Sequence, residues 1–170
     1  MLKRACLFLA FAALLSASAR ADPYRLLNIA LYQTDTVMKD RVGTSVDLVG
    51  YIKALNTAAT HYFAAHPTGN PGILNIIVAF KSSGKSKVWL LTSNTALENP
   101  NGLIIKLWAV PAPKPLGGPI ALCLHASLWG GTDTTTFSQP PYPKEWLDAS
   151  QSTTHPLSIP DGVLKVIWKD

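Results

Sequence analysis

The sequence predicts an α+β domain, in which one long helix over about residues 45–65 packs on one face of a mostly antiparallel β-sheet. Apolar runs typical of strands recur along the chain, and one longer segment instead carries apolar residues at helical spacing. Two of the strand-like runs are separated by a short turn rich in Ser and Gly, which predicts a β-hairpin and therefore antiparallel pairing.

The first strand is predicted at residues 24–33, YRLLNIALYQ, which are mostly apolar or aromatic. The long helix follows, with Thr44 or Ser45 as its expected N-cap and Asp47 favourable near its positive N-terminal end. Pro67 and the glycines after it end this helix. Between these limits an apolar stripe recurs at helical spacing, namely Leu48, Ile52, Leu55, Ala59 and Tyr62.

Residues 73–81 and 86–92 are predicted as the two strands of the hairpin, joined by a turn at 82–85. The sequence Gly-Lys-Ser at 84–86 matches the last three residues of the phosphate-binding loop motif. Such a loop requires a glycine five positions earlier, where Ala79 stands, and a helix rather than a strand after it. The pattern therefore indicates a hairpin turn and gives no support to nucleotide hydrolysis.

The second half of the chain contains one ambiguous segment, residues 95–110. A helix there would place three apolar residues on one face, namely Leu103, Leu107 and Val110. The β-branched and aromatic content of LIIKLWAV fits a strand equally well. A proline-rich connector at 111–119 leads into a strand at 120–128, and a short helix starting at Pro143 and a final strand at 163–168 complete the order.

The first 21 residues are typical of a cleavable secretory signal peptide. Lys3 and Arg4 precede the apolar run ACLFLAFAALL, and small residues ending in Ala-Arg-Ala at 19–21 follow it. The apolar run is shorter than the roughly 20 residues that a membrane-spanning helix needs, although an uncleaved anchor is the alternative. We expect one mature domain, residues 22–170, that is periplasmic or secreted.

Removal of 21 of the 170 residues would leave 149, enough for one well-buried domain. Lys3, Arg4 and Arg20 would be lost with them, so 12 basic and 10 acidic residues would remain and the net charge would fall from +5 to +2. This charge does not indicate binding to nucleic acid, nor is membrane association implied after cleavage. Cys123 would be the only cysteine, which excludes an internal disulfide and favours a buried thiol.

Cys123, His125 and Ser127 alternate in the segment ALCLHASLWGG and are the candidates for catalysis. On a strand they share one face, with consecutive Cα atoms about 6.6 Å apart, which is awkward for a direct hydrogen bond between the thiol and the imidazole. The preferred interpretation is a core strand, with leucines on one face and small or polar side chains on the other, and no catalytic residue is assigned. The alternative is a small hydrolase or thiol enzyme that uses Cys123 and His125.

Two groups of side chains could contact a partner. The predicted hairpin carries three lysines, Lys81, Lys85 and Lys87. They would form a basic contact surface, or they would be solvated lysines that protect an edge strand. A segment with much loop character carries three aromatic residues, Phe137, Tyr142 and Trp146. They would anchor a partner or fold back onto the domain.

Residues 46–128 resemble the C-terminal domain of TonB-type energy transducers in the order and spacing of their elements. The shared features are a helix, an apolar strand, a Ser-Gly-Lys turn, a second strand, Trp108 before a proline-rich connector, and Gly-Gly-Pro leading into a strand. The resemblance implies a small periplasmic binding fold and a helix at 95–108. It does not imply a transducing role.

The leading prediction is a non-catalytic binding or interaction module of the cell envelope, without a cofactor, whose partner is an envelope or extracellular protein. It rests on the export signal and on the lack of a recognisable catalytic set. The alternatives are the enzyme described above and a metal-binding protein. His61 and His66 give the latter little support, because a spacing of five places them on different faces of a helix.

Overall fold

The computed structural model describes residues 21–43, 46–93, 97, 100–133, 139–151 and 157–168. Residues 1–20, which carry almost all of the predicted signal peptide, lie outside this set. So do Phe137 and the two expected N-cap residues, Thr44 and Ser45.

Within the described residues, four strands form one antiparallel sheet in the order β1-β4-β2-β3. Their bounds are β1 Tyr24–Leu31, β2 Gly72–Phe80, β3 Ser86–Thr92 and β4 Ile120–Leu128. The inner strand β4 pairs with β1 and β2, and all nine of its residues are buried. An inner strand covered on both faces is typically apolar on both, and β4 is apolar except at His125 and Ser127. The predicted α+β class and the mostly antiparallel sheet are confirmed.

The described residues form five helical segments, whereas the sequence predicted one long helix at about 45–65 and a short one starting at Pro143. Their bounds are α1 Asp35–Val42, α2 Leu48–Ala64, α3 Pro100–Trp108, α4 Lys144–Gln151 and α5 Asp161–Ile167. The second is the longest, with 17 residues, and the others have seven to nine. Its N-cap is Asp47, whose side chain accepts a hydrogen bond from the backbone N–H of Gly50 at 2.8 Å. None of the described helices is long and apolar enough to cross a membrane.

The prediction of a final strand at residues 163–168 is wrong, because this segment forms α5. Val163 and Leu164 are buried, whereas Lys165 and Val166 are exposed. Two buried residues followed by two exposed ones fit a helix that packs one side on a sheet, and they do not fit the alternation of a strand. The ambiguous segment contains the helix α3, which buries Leu103 and Leu107.

Helices lie on both faces of the sheet. Side chains of α1, α2 and α3 pack on one face of the sheet and form an apolar core with it. The largest fully buried residues of this core are Leu55, Phe63, Leu74, Ile76, Phe80, Leu103, Leu107, Ile120, Leu122 and Leu124. The other face is lined by small or apolar residues such as Ala79, Ala121 and Cys123, and α4 and α5 cover it with Trp146 and Leu164. The α4–α5 face is therefore the one that contains the thiol.

A polar network fixes α5 to the rest of the fold. Arg41 in α1 donates to both carboxylate oxygens of Asp161 and to the carbonyl oxygen of Pro119. Gln33 donates to the same carbonyl and to Asp161, and it accepts from the backbone N–H of Ala121. Burial works against the charge of Asp161, but the hydrogen bonds from Arg41 and Gln33 hold the pKa of this carboxyl below its ordinary value.

This network predicts a loss of stability in acid. The pKa of Asp161 is lower in the folded chain than in the unfolded one. The ionised carboxylate therefore contributes its full stabilisation above its unfolded pKa of about 3.9, and this stabilisation is lost as the pH falls through its folded pKa. We expect Asp161→Asn to be less stable at pH 7 and to lose less stability than the original protein between about pH 5 and pH 3. Urea unfolding across this range measures both effects. Asp148→Asn is the control, because this exposed carboxylate pairs only with exposed Lys144 in the described structure; equal pH slopes for all three proteins would contradict the assignment.

Candidate functional site

Strand β4 directs its side chains alternately to the two faces of the sheet. Leu122 and Leu124 enter the core beneath α2, whereas Cys123 faces α4 and α5. His125 and Ser127 continue the α4–α5 face towards the end of the strand, as the alternation predicts.

His125 is held between two side chains. Its Nδ1 lies 2.7 Å from Oδ1 of Asn75, the residue paired with it on β2, and its Nε2 lies 2.7 Å from Oδ2 of Asp133 in the loop after β4. The imidazole is only 4% exposed. Both ring nitrogens are therefore engaged, and the imidazole links Asn75 on β2 to the loop that contains Asp133.

Cys123 is fully buried beside this group. Its Sγ lies 3.7 Å from the same Oδ1 of Asn75, so the amide oxygen stands between the thiol and the imidazole. Burial raises the pKa of the Cys123 thiol to about 12, although a hydrogen bond from Tyr32 works in the opposite direction. The thiol is protonated at neutral pH and is a poor nucleophile in the folded protein. Ser127 donates its hydroxyl to the carbonyl oxygen of Gly131 at 2.6 Å, which adds a second attachment of the loop.

The three candidate lysines differ in their contacts. Lys87 pairs with Glu145 of α4, with 2.8 Å between Nζ and Oε1, and Trp89 donates to the other oxygen of that carboxylate. Burial raises the pKa of Glu145, but these two hydrogen bonds outweigh it and lower the pKa overall. Lys81 places its Nζ 4.6 Å from the ring centroid of Trp168, and Lys85 is exposed in the hairpin turn.

The aromatic residues before and within α4 fold back onto the domain. Trp146 is fully buried, and its ring meets those of Tyr32 and Trp89 edge-to-face with 5.2 Å between centroids in both pairs. The ring centroids of Tyr142 and Tyr32 lie 5.6 Å apart. The cluster covers the α4–α5 face and leaves Trp146 inaccessible to a partner.

The most exposed apolar part of the sheet is instead β1, an edge strand whose exposed residues the sequence did not identify as a site. Leu27, Ile29 and Leu31 are 38–40% exposed. Beside Leu31 lies a shallow recess of about 420 Å³, lined mostly by apolar side chains of Met38, Val42 and Leu48. We call these six residues the β1 surface. One signal was present in the sequence, because the run LLNIAL carries more apolar residues than one buried face requires.

No three His, Cys, Asp or Glu side chains in the described part of the chain are grouped in a way that could hold a metal ion. Comparison of the chain with protein-family models, with curated proteins and with solved structures found no match, so the site is interpreted from its own geometry.

Proposed function

We propose that the protein is a non-catalytic binding module of the cell envelope that adds an extended segment of a partner protein to the edge of its sheet at β1. The observation that carries this proposal is the open, apolar edge formed by Leu27, Ile29 and Leu31. The export signal expected at the N-terminus gives the compartment. The engagement of Cys123 and His125 in buried structural contacts favours a non-catalytic protein.

The two edges of the sheet differ in a way that supports this proposal. Edge strands present outward N–H and C=O groups, and proteins commonly protect them with charged residues or by covering them. The other edge, β3, carries Lys87, which forms an ion pair with α4. The β1 edge has no charged residue or proline between Leu26 and Leu31. The backbone N–H of Ile29 donates to the side chain of Asn28 at 2.8 Å, an exposed bond between neighbouring residues that a partner strand would replace. An apolar edge without charged residues fits strand addition by a partner.

The β1 surface also indicates the chemistry of the partner segment. Pairing with β4 is irregular between Leu26 and Asn28, so β1 has two regular parts, Tyr24–Leu26 and Asn28–Leu31, and the second contains Leu31 beside the recess. Ile29 and Leu31 face the same side as the recess beside Leu31. Lys39 also lines that recess and offers a positive charge at its margin. The expected partner segment therefore has apolar residues at alternate positions and an acidic residue near one end.

Substitution of Ile29 by Lys tests the proposal. The probes are synthetic nine-residue peptides with alternating apolar residues and one acidic end, compared with peptides of the same composition in scrambled order. We expect alternating peptides to bind with Kd below about 1 mM, with at least tenfold weaker binding to Ile29→Lys, because a buried, unpaired ammonium is costly. Fluorescence polarisation measures the affinity, and hydrogen exchange measures protection of β1 amides.

Ile105→Lys is the matched control, because Ile105 is 61% exposed on α3 and the same charge is introduced away from β1. Both substitutions should change the free energy of unfolding by no more than about 1 kcal/mol. Equal affinity of all three proteins for the alternating and scrambled peptides would refute the proposal. Self-association that Ile29→Lys abolishes would also contradict it, because a second copy would then occupy the edge.

A further inference from the structure

A separate cavity of about 340 Å³ lies between the C-terminal end of α2 and the turn after β4. Its walls include the aromatic side chains of Tyr62 and Trp129 and the polar side chains of His66, Thr68 and Asn70. The volume is at the lower end of the range of about 300–1,000 Å³ that is typical of small-molecule sites. This cavity is distinct from the β1 surface and shares no lining residue with it.

Trp129 has an unusual backbone conformation for a bulky residue, with φ at 46°. This left-handed region costs a non-glycine residue on the order of 1–3 kcal/mol, and such residues occur where the surrounding structure holds a side chain in place. Here the indole Nε1 donates to the carbonyl oxygen of His66 at 3.2 Å. The indole and the Phe63 ring are edge-to-face, with 5.5 Å between their centroids. The strained backbone positions the indole ring as a wall of the cavity.

Two glycines allow this wall to approach the neighbouring loop. A Cβ at Gly69 would lie 2.5 Å from the Trp129 ring, so only glycine lets the ring lie against that backbone. A Cβ at Gly131 would lie 2.2 Å from the carbonyl oxygen of Gly72. The loop containing Trp129 is therefore closely fitted to residues 69–72, and the position of the ring is specified by backbone contacts on two sides.

The polar groups of the cavity favour an uncharged ligand. His66 has its Nδ1 2.7 Å from the carbonyl oxygen of Tyr62, which can only accept, so Nδ1 donates to it and Nε2 is the ring nitrogen that could face a ligand. Thr68 contributes a hydroxyl and Asn70 an amide. Among the described residues around the cavity, none is Lys, Arg, Asp or Glu. The described lining residues therefore offer hydrogen bonds and an aromatic ring, and no ion pair, to a ligand.

We propose that this cavity binds a neutral saccharide unit, which stacks on Trp129 and hydrogen-bonds to His66, Thr68 and Asn70. The electron-rich face of an indole attracts the weakly positive C–H groups on the face of a sugar ring. The hydroxyls around the ring match the imidazole, the hydroxyl and the amide at the margin. Sugar hydroxyls both donate and accept, so they can bind to an imidazole, a hydroxyl and an amide alike.

The test is a nuclear magnetic resonance titration of the mature chain with the neutral disaccharides cellobiose, maltose and N,N′-diacetylchitobiose. The indole N–H signals distinguish the five tryptophans of the chain, and Trp129 is assigned with a variant. We expect at least one disaccharide to bind with Kd between about 0.1 and 5 mM. The shift changes should centre on the Trp129 indole and on the backbone amides of Thr68 and Asn70. Benzoate and adenosine are the comparison probes, an aromatic anion and an uncharged aromatic base.

Two substitutions at the cavity complete the experiment. Trp129→Gly removes the ring while suiting the positive φ, and it should weaken binding at least tenfold. Thr68→Val changes an exposed side chain, so it should leave the fold intact and weaken binding about three- to tenfold by loss of one hydrogen bond. Trp108→Leu is the control, because Trp108 is 52% exposed on α3, and it should bind as the original protein does.

The proposal is overturned if none of the three disaccharides shifts the Trp129 indole at about 20 mM. It is also overturned if benzoate or adenosine binds more tightly than every disaccharide, or if Thr68→Val and Trp129→Gly bind a disaccharide as strongly as Trp108→Leu. The peptide experiment at β1 does not depend on these outcomes, since Ile29→Lys lies outside the cavity.

Discussion

Trp146→Ala is expected to lower the free energy of unfolding by about 4 kcal/mol. The side chain is fully buried at the centre of the cluster that covers the α4–α5 face, in contact with Tyr32, Trp89 and Tyr142. Its removal would lose the transfer free energy of the ring, leave a cavity and break two edge-to-face contacts. For a domain of this size the melting temperature should fall by roughly 8–16 °C, as measured by circular dichroism and confirmed by urea unfolding.

Trp108→Ala is the matched control, because the same ring is 52% exposed there and its loss should cost no more than about 1 kcal/mol. Trp146→Phe should fall between the two. The Nε1 of Trp146 has no hydrogen-bond partner in the part of the chain that the structure describes, so Phe loses volume but no hydrogen bond. If Trp146→Ala were as stable as Trp108→Ala, α4 would not be docked on the sheet as the structure has it.

The same substitution has a chemical readout at Cys123. In the folded protein the thiol is buried and its pKa is raised, so alkylation should be slow. Trp146 covers the face that contains this thiol. We expect Trp146→Ala to accelerate alkylation under conditions where the protein remains folded, whereas Trp108→Ala should not.

The sequence predicted those parts of the fold in which a local pattern is sufficient. The runs at 73–81, 86–92 and 120–128 agree with β2, β3 and β4 to within one residue, because each is a mostly apolar run bounded by turn residues. The helix α1 was not predicted, because it buries only Met38 and has little apolar periodicity. The C-terminal segment VLKVIW has five apolar residues in six, so its composition fits a strand or a helix. Packing of Val163 and Leu164 on the sheet, which the sequence does not show, favours the helix.

The site was predictable only in part, for a related reason. Alternation correctly placed Cys123 and His125 on one face of a core strand, but their partners depend on contacts that are distant in sequence. Asn75 lies 50 residues before His125, and only the antiparallel register of β2 and β4 brings them together. Whether β1 is an edge strand likewise follows from β4 lying between β1 and β2. The positive φ of Trp129 has no local sequence signal, since glycine rather than tryptophan is typical there.

The pair formed by His125 and Asp133 should make the second large contribution to stability. The imidazole is 4% exposed and the carboxylate 17%, so their 2.7 Å contact is largely shielded from water. Asp133→Ala removes this carboxylate while the imidazole stays buried, and we expect it to cost about 2–3 kcal/mol. His125→Leu should cost a similar amount, because Asp133 then keeps a partly desolvated charge. Urea unfolding at pH 7 measures both, with Asp148→Ala at an exposed carboxylate as the control.

The double substitution identifies the cause of these losses. When both side chains are removed, neither a buried imidazole nor a partly desolvated carboxylate remains without its partner. The double variant should therefore lose about 1–2 kcal/mol less stability than the sum of the two single losses. Strict additivity would mean that the two side chains act independently and would contradict the pairing. Asp133 also holds the last residue of the described stretch 129–133, whereas Gly131 packs against Gly72 two residues earlier. Hydrogen exchange in residues 129–133 should therefore increase in Asp133→Ala more than in β2 or β4, because the loop loses an attachment that the strands do not need.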